Sequence, residues 1–410
     1  MRLPYISAFF CLLAPAAVAG GFETGPQGAR ILGLGGAATA LAYHPAAAYY
    51  NPGALGMRDS LTRISVGGMA LARRTSFLST DTQRKTYQDL TPVASGYLFA
   101  SHYFGKGITG GLSVTTPFGY TTKWPTNWEG RSVVQESSLY TVQVQPTVAV
   151  AISENFSVGA GAMLTHGSVR QLRALGQYDA FDADAEYEGS ANGAGFNVGL
   201  YGRSSEDLSF GISYRSGVRL KVTDGTATFR NVPAADASRF TNSQSVETDI
   251  YLPGTLSVGL ANQITPKLNI LFDFTLTNWT KTDSATFRFA NNQAARASQP
   301  RRYEDAMAFK IGGEYQLDPK TALRLGVLYD ESPVRDEYVA PDLPDGNKLA
   351  ASLGVSFVMA DKLNLDLAYQ FGALSNRQAR ANQSQDQVSN IAGTYRTFVH
   401  TAAVGLSYSF

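Results

Sequence analysis

The chain ends in the stretch TFVHTAAVGLSYSF, residues 397–410, in which apolar and polar side chains alternate almost without error. One face of the predicted strand is apolar and consists of Phe398, Ala402, Val404, Leu406, Tyr408 and Phe410. The other face is small and polar and consists of Thr397, Thr401, Ala403, Gly405, Ser407 and Ser409. Such a strand suits a barrel whose outer surface lies in lipid. Because a single strand cannot satisfy its backbone polar groups in hydrocarbon, the pattern must recur until a sheet closes.

The same period of two returns along the whole chain, and the connections between alternating segments differ in length. Tight polar turns lie at residues 105–106, 153–155, 204–207, 265–267, 318–320 and 360–362. Long polar links lie near residues 74–91, 118–134, 172–186, 223–245, 281–300, 331–346 and 373–393. Short turns on one side and long loops on the other are typical of bacterial outer-membrane barrels. Counted over residues 61–410, the sequence predicts an all-β fold, a 14-stranded antiparallel transmembrane β-barrel.

The composition agrees with a membrane barrel and excludes some partners. Charged residues make up 16% of the chain and hydrophobic residues 44%, against about 25% charged in ordinary soluble domains. Low charge without net hydrophobicity is expected where lipid-facing and lumen-facing positions cancel in the average. With 34 basic and 33 acidic residues, the charge balance indicates no nucleic-acid partner.

The first nineteen residues have the pattern of a secretory signal peptide. Arg2 supplies the positive end, residues 6–13 are apolar, and Ala17-Val18-Ala19 forms a small-x-small cleavage site. The one cysteine, Cys11, lies inside this peptide, so the mature chain is expected to have no disulfide and no cysteine-based metal site. No later segment has the 18–20 apolar residues of a spanning helix. The chain is therefore expected to be exported.

Residues 20–60 do not alternate and are rich in glycine and alanine. Residues 37–42 have helical propensity, and Asn51-Pro52-Gly53 precedes the first strand. We expect this segment to fold back as a short helical hatch that plugs the lumen, although a disordered tail is the alternative.

Catalytic signatures are thin. Residues 33–38, GLGGAA, match a dinucleotide pattern in form but follow no buried strand. The four histidines are scattered, and no GxSxG motif occurs. The sequence predicts neither an enzyme, a cofactor nor a metal site, and a lipid hydrolase with a non-contiguous Ser/His pair stays open as an alternative.

Charged residues fall on the inward phase of several predicted strands. Arg215, Asp273 and Asp366 point inward, and Arg170 lies near the top of another strand. They can brace the wall or hold the hatch. Alternatively, Arg170 or Arg215 binds an anionic head group, since low dielectric strengthens a charge-assisted hydrogen bond.

The link after the third strand is the most distinctive loop. Pro117 removes a ladder donor and, with Gly110 and Gly111, is expected to kink this strand. The aromatic residues that follow are Phe118, Trp124 and Trp128. They are either anchors at the membrane interface or a landing site for an apolar ligand.

Short motifs recur in a fixed order through the chain. They are Asn51-Pro52-Gly53, residues 116–119 (TPFG), residues 213–216 (SYRS), Leu252-Pro253, Trp279, Asp305-Ala306 and residues 330–334 (DESPV). With the predicted barrel and leader, these motifs resemble the FadL/TodX (OMPP1) family of long-chain fatty acid transporters of Gram-negative outer membranes. The resemblance covers nearly the whole predicted mature chain.

The resemblance implies a plugged fourteen-stranded barrel that takes up hydrophobic molecules passively. A ligand would pass from a groove between extracellular loops to an apolar pocket and leave sideways at a kink in the third strand. Asn51, Pro52 and Gly53 would be the hatch motif, with Gly53 in place of the usual alanine, and residues 110–117 the kink. Arg170 lies near the sequence position that corresponds to a carboxylate-binding arginine of the family's fatty acid branch, but the local match is off by about one residue.

The predicted function is uptake of hydrophobic compounds, with long-chain fatty acids as the expected ligands. Aromatic or aliphatic hydrocarbons are the first alternative, but they would leave an inward cation unpaired at a cost of a few kcal/mol. A lipid hydrolase, a porin and an adhesin are the others. The expected surroundings are outer-membrane lipid and lipopolysaccharide, and the chain is expected to be a monomer. The barrel assembly machinery is expected to recognise Phe410.

Overall fold

The structure is a computed structural model. It describes residues 21–57, 61–175, 181–236, 240, 243–282, 284–289, 292–380 and 391–410, with the backbone alone at 284–285 and 292–300. The predicted signal peptide, residues 1–19, lies outside the described residues.

The described residues form one closed antiparallel sheet of fourteen barrel strands. In chain order the strands are β1 (Arg63–Ser79), β2 (Val93–Gly105), β3 (Ile108–Thr115 and Gly119–Lys123), β4 (Glu136–Ala151), β5 (Phe156–Ala174), β6 (Asp184–Arg203), β7 (Leu208–Arg215 and Val218–Arg230), β8 (Ser243–Leu252 and Gly254–Thr265), β9 (Leu268–Asn278 and Ser284–Phe289), β10 (Asn292–Pro300 and Ala306–Asp318), β11 (Thr321–Asp330), β12 (Lys348–Ala360), β13 (Leu363–Leu374 and Arg377–Ala379) and β14 (Gly393–Ser409). Strand β1 pairs with both β2 and β14, which closes the barrel. The predicted 14-stranded barrel is confirmed.

In the last strand the apolar side chains lie on the outer surface and the small and polar ones face inward, as predicted. Val404 and Leu406 are 47% and 45% exposed on the outer surface, whereas Thr401 and Ala403 are 3% and 8% exposed and face inward. Nearly all strands carry large exposed apolar side chains on the same outer face. None of the helices in the described part of the chain is long and apolar enough to cross a bilayer.

The two ends of the barrel differ. At the short-turn end the strands connect directly, as between Gly105 and Ile108. At the long-loop end the strands extend past the wall. A short strand, Lys85–Tyr87, pairs there with β1, and 3-10 turns cover Ala234–Asp236 and Asp336–Tyr338.

The hatch, residues 21–57, lies inside the barrel and contains α1 (Ala29–Gly33), α2 (Ala47–Tyr50) and a 3-10 turn at Pro52–Gly56. It approaches the wall most closely where inward-facing strand positions are glycines. These glycines are Gly159, Gly199, Gly211, Gly259, Gly312, Gly326 and Gly354. At Gly326 a Cβ atom would overlap the hatch backbone at Gly35, so only glycine permits this contact.

Buried charges fasten the hatch to the wall. Asp273 in β9 is 1% exposed, and its Oδ2 accepts hydrogen bonds from the backbone N–H groups of Ala38 and Thr39 at 2.8 and 2.9 Å and from the Thr39 hydroxyl at 2.7 Å. On the short-turn side, Arg30 of α1 pairs with Glu314 at 2.7 Å. The same carboxylate also pairs with Arg324, and Arg324 forms a second ion pair with Asp366 at 3.0 Å.

Candidate functional site

The hatch motif is fully buried against β5 and β6. Asn51 is 0% exposed, and its Nδ2 donates to the carbonyl oxygens of Thr39 at 2.7 Å and Leu200 at 3.0 Å. Its Oδ1 accepts from the N–H of Gly53 at 3.0 Å. With Pro52 at the first position of the 3-10 turn, Asn51 acts as its N-cap. The motif therefore joins two parts of the hatch to the wall.

Gly53 is held by close packing. A Cβ atom there would lie 2.7 Å from the backbone of Leu200, closer than side-chain atoms approach. The Gly53 carbonyl also accepts from the Ser157 hydroxyl at 2.6 Å. Glycine at this position thus lets the turn approach β6 closely.

Replacing Gly53 by alanine is expected to push the 3-10 turn away from β6. Overpacking of this kind costs about 1–3 kcal/mol, and the hydrogen bond from Ser157 would lengthen. Hydrogen exchange of the amides of residues 51 and 53–56 should therefore become faster. The matched control is Gly68→Ala on the lipid face, where the new Cβ would meet no atom closer than 3.8 Å. Unchanged exchange in the Gly53→Ala variant would refute the packing argument.

Strand β3 is interrupted at residues 116–118. Pro117 lies at the centre of the interruption and has no N–H to donate. Gly110 and Gly111, expected to take part in the kink, instead lie in the unbroken ladder and pair with β2 and β4. Gly111 faces the hatch, where a Cβ would lie 2.6 Å from the Leu55 side chain. Of the three residues predicted to form the kink, only Pro117 lies in the break of the strand.

The interruption leaves a stretch of the barrel wall, called the gap below, in which the described ladders contain no pairing between β2 and β3. The ladder of β2 with β3 ends at the pair Leu98 and Val114. Beyond it, residues 93–97 of β2 pair with β1 and, in the described ladders, have no partner in β3. The Thr91 hydroxyl reaches the Thr121 carbonyl at 3.2 Å and bounds the opening above. The gap thus lies between residues 92–97 and 115–120, where β2 carries the small residues 94–96.

An inner cavity of about 1060 Å³, counting its open mouth, lies between the hatch and the wall. Its apolar lining includes Phe118, Met163, Val218, Leu252 and Leu328. Its charged lining is Glu23, Arg215, Asp273, Lys310, Asp330 and Lys348. An apolar wall with a few convergent charges suits a ligand that has a long apolar part and a polar head.

Arg215 reaches this cavity from β7, as its inward phase predicted. Its guanidinium donates to the Tyr49 carbonyl at 2.7 Å, to Gln145 Oε1 at 2.8 Å and to the amide oxygen of Gln143. It also lies 4.1 Å above the ring of Tyr49. All these acceptors are neutral, so the positive charge has no carboxylate within 4 Å among the described residues.

Lys310 is the second cation of the cavity without an ion pair. Its Nζ donates to the Thr275 hydroxyl at 3.1 Å and, within the described chain, has no carboxylate oxygen within 4 Å. Lys348 differs because it pairs with Asp330 at 3.0 Å. The sequence reasoning missed Lys310, although its place in β10, between outward Phe309 and Ile311, marks it as inward.

An outer groove of about 650 Å³, counting its open mouth, lies above the inner cavity, towards the long-loop end. Apolar side chains dominate its lining, among them Phe22, Leu139, Val169, Ile250 and Phe287. A mostly apolar groove can receive a hydrocarbon chain.

Residues 22–24, the partition segment, separate the groove from the cavity. Phe22 lines the groove, whereas Glu23 lines the cavity. The segment pairs with the interrupted strand: Thr24 N–H donates to the Pro117 carbonyl at 3.1 Å, and Gly119 N–H donates to the Phe22 carbonyl at 3.0 Å. The partition segment therefore covers the inner side of the gap.

Other predicted candidates lie elsewhere. Arg170 is paired with Glu136 and, at 2.6 Å, with Glu186 on the outer parts of the strands, and it lines neither the inner cavity nor the outer groove. Trp124 and Trp128 are each 1% exposed and stack at 4.4 Å inside the loops. They form part of the loop core and are neither surface anchors nor an open landing site. Phe118 does line the cavity.

The histidines have no serine partners in the described residues. Their side chains contact the backbone N–H of Ala46, the hydroxyl groups of Thr62 and Tyr369, and Asn192. No group of three or more metal-ligating side chains occurs among the residues described.

The sequence profile of the family described as outer membrane protein transport protein (OMPP1/FadL/TodX) matches residues 10–410. The chain belongs to the OMPP1/FadL/TodX family. Outer membrane protein P1 of Haemophilus influenzae is 26% identical over 54% of this chain and 48% of that protein, so the match spans about half of that relative. The long-chain fatty acid transport protein of Salmonella typhi is 21% identical over 78% of this chain and 80% of that protein.

Solved structures share the OMPP1/FadL/TodX fold. The crystal structure of a Pseudomonas aeruginosa FadL homologue superposes with a TM-score of 0.82, at 18% identity over 95% of this chain and 99% of that one. The toluene transporter TodX of Pseudomonas putida superposes with a TM-score of 0.72, at 15% identity over 94% and 99%. Family and fold place the protein in the outer membrane, with the short-turn end periplasmic and the long-loop end extracellular. It is a member of a family of transporters for hydrophobic compounds.

Proposed function

We propose that this protein takes up long-chain fatty acids across the outer membrane. The observation that carries the proposal is the pair of cations, Arg215 and Lys310, that face a partly apolar cavity without a carboxylate oxygen within 4 Å in the described residues. A cation taken out of water without a direct ion pair is costly, and the carboxylates that share the cavity, Asp273 opposite Lys310 and Glu23, form no ion pair with either cation within 4 Å. A carboxylate head group would supply such a pair, and its acyl chain would lie against the apolar lining.

The proposed path starts in the outer groove, crosses the partition segment and enters the inner cavity. The ligand then leaves sideways through the gap beside Pro117 into the membrane. Small side chains at residues 94–96 and the absence of ladder bonds there support this exit. No energy source is proposed, since the ligand can move down its concentration gradient.

Replacing Lys310 by methionine tests the proposed substrate class. The change keeps the length of the side chain but removes one charge-assisted hydrogen bond, worth about 1.5–3 kcal/mol. Binding of oleate to purified protein in non-ionic detergent should weaken at least about tenfold, whereas binding of oleyl alcohol should change little. The control is Lys267→Met in an exposed periplasmic turn.

If Lys310→Met leaves oleate binding unchanged and hexadecane binds as tightly as oleate, the acid specificity is wrong. Uptake of aromatic or aliphatic hydrocarbons along the same path would then be the better proposal. Binding of none of these ligands would refute uptake of hydrophobic compounds as a whole.

A further inference from the structure

The hatch carries a carboxylate of its own into the inner cavity. Glu23 lies between Phe22 and Thr24, and its backbone forms an antiparallel bridge with Phe118. Because neighbouring residues of an extended segment point to opposite sides, its side chain faces the cavity while that of Phe22 faces the groove. A carboxylate therefore stands at the place where an acidic ligand would enter.

Glu23 shares the cavity with the same cations that the proposed function assigns to the ligand. The positive charges of Lys310, Lys348 and Arg215 stabilise the ionised form of Glu23, and the negative charge of Asp330 destabilises it. None of these cations forms an ion pair with Glu23 within 4 Å in the described structure. The carboxylate thus stands in the field of the cations without a rigid partner.

The surroundings of Glu23 raise the pKa of its carboxyl group. Burial, with the negative charge of Asp330, raises its pKa to about 7, although Lys310, Lys348 and Arg215 oppose the shift. Near neutral pH it therefore changes readily between its charged and neutral forms.

We propose that Glu23 is the resident anion of the inner cavity, which the head group of an acidic ligand replaces. This inference rests on the proposed function and adds a selective step to it. Glu23 balances Arg215 and Lys310 while the cavity is empty. When a ligand carboxylate binds these cations, Glu23 loses its counter-charge and either takes up a proton or leaves the cavity.

The exchange is coupled to the gap through the backbone. Glu23 lies between the two hydrogen bonds that attach the partition segment to β3, from Thr24 to Pro117 and from Gly119 to Phe22. Displacement of the Glu23 side chain therefore strains both bonds and loosens the cover of the gap. A neutral hydrocarbon offers no charge for the exchange, so the device favours acids.

The test compares wild type with Glu23→Gln, which keeps shape and backbone pairing but removes the charge. The probes are hexadecanesulfonate, which stays anionic throughout the pH range, and neutral hexadecanol. At pH 8, where Glu23 is ionised, the variant should bind hexadecanesulfonate about tenfold more tightly than wild type, and hexadecanol equally. At pH 5.5, where Glu23 is protonated, the two proteins should bind the sulfonate alike.

Asp345 also titrates nearby, since burial raises its pKa to about 6 and its carboxylate accepts from the N–H of Gly21. The carboxylates of Asp273 and Asp330 line the same cavity. These three acids are present in both proteins, so the ratio of the two affinities isolates Glu23. Glu129→Gln, an exposed loop carboxylate, is the control for charge removal, and Glu23→Asp, which keeps the charge, should bind the sulfonate like wild type.

Equal sulfonate affinity of wild type and Glu23→Gln at pH 8 would overturn the inference and leave the proposed function standing. A gain that is the same for sulfonate and hexadecanol would overturn it too, because it would show a steric plug. Failure of wild type to bind either probe would instead count against the proposed function.

Discussion

A disulfide between cysteines introduced at Glu23 and Phe118 is expected to abolish uptake, and its reduction is expected to restore it. The two residues form an antiparallel bridge, and both side chains line the inner cavity. Their Cα atoms are therefore roughly 4.5–5.5 Å apart, within the range that a disulfide spans. The crosslink would fix the partition segment over the gap, so a ligand could neither pass from groove to cavity nor leave sideways.

The chain offers a clean background for this experiment, because Cys11 is its one cysteine and lies in the predicted signal peptide. Labelled oleate uptake would be measured in cells with oxidant and again after reductant. Each single cysteine variant should transport under both conditions. Uptake that continues in the oxidised, fully crosslinked protein would place the path elsewhere.

Replacement of Asp273 by alanine is expected to release the hatch from β9. Asp273 accepts hydrogen bonds from the N–H groups of Ala38 and Thr39 and from the Thr39 hydroxyl. Loss of a buried charged acceptor leaves these donors unsatisfied, at about 1–3 kcal/mol each. Amide exchange at residues 38–39 should rise by at least two orders of magnitude, while exchange in the barrel strands should stay slow.

Asparagine at the same position is the matched control, since its amide oxygen keeps an acceptor of nearly the same shape. The Asp273→Asn variant should therefore lose less than half of the protection lost by Asp273→Ala. Equal exchange at residues 38–39 in wild type and Asp273→Ala would mean that other contacts hold the hatch.

The barrel could be predicted from the sequence because lipid and lumen impose opposite demands on successive residues. Leu406 and Tyr408 face lipid and Thr401 faces inward, so a period of two appears directly in the chain. The inward phase also identified Arg215 and Asp273 correctly as lumen residues. The same inward phase contains glycines such as Gly159 and Gly211, and in the structure the hatch backbone packs directly against them.

The rest of the candidate site depends on contacts between distant segments. Glu23 carries no local pattern, and only its bridge to Phe118 brings it into the cavity. Trp124 and Trp128 are of the residue type that anchors barrels at the membrane interface. In the structure, however, their indole N–H groups donate hydrogen bonds to the carbonyls of Pro341 and Val134 within the loops. The sequence predicts that Gly110 and Gly111 take part in a kink, yet they lie in an unbroken ladder, and the strand is interrupted at residues 116–118, around Pro117.

The most direct measurement is uptake of labelled oleate by cells that lack their own outer-membrane fatty acid transporter, with and without this protein. Restored, saturable uptake that the Lys310→Met variant reduces is the result expected for a fatty acid path through the inner cavity. Absence of uptake in cells whose outer membrane contains the correctly folded protein would contradict it.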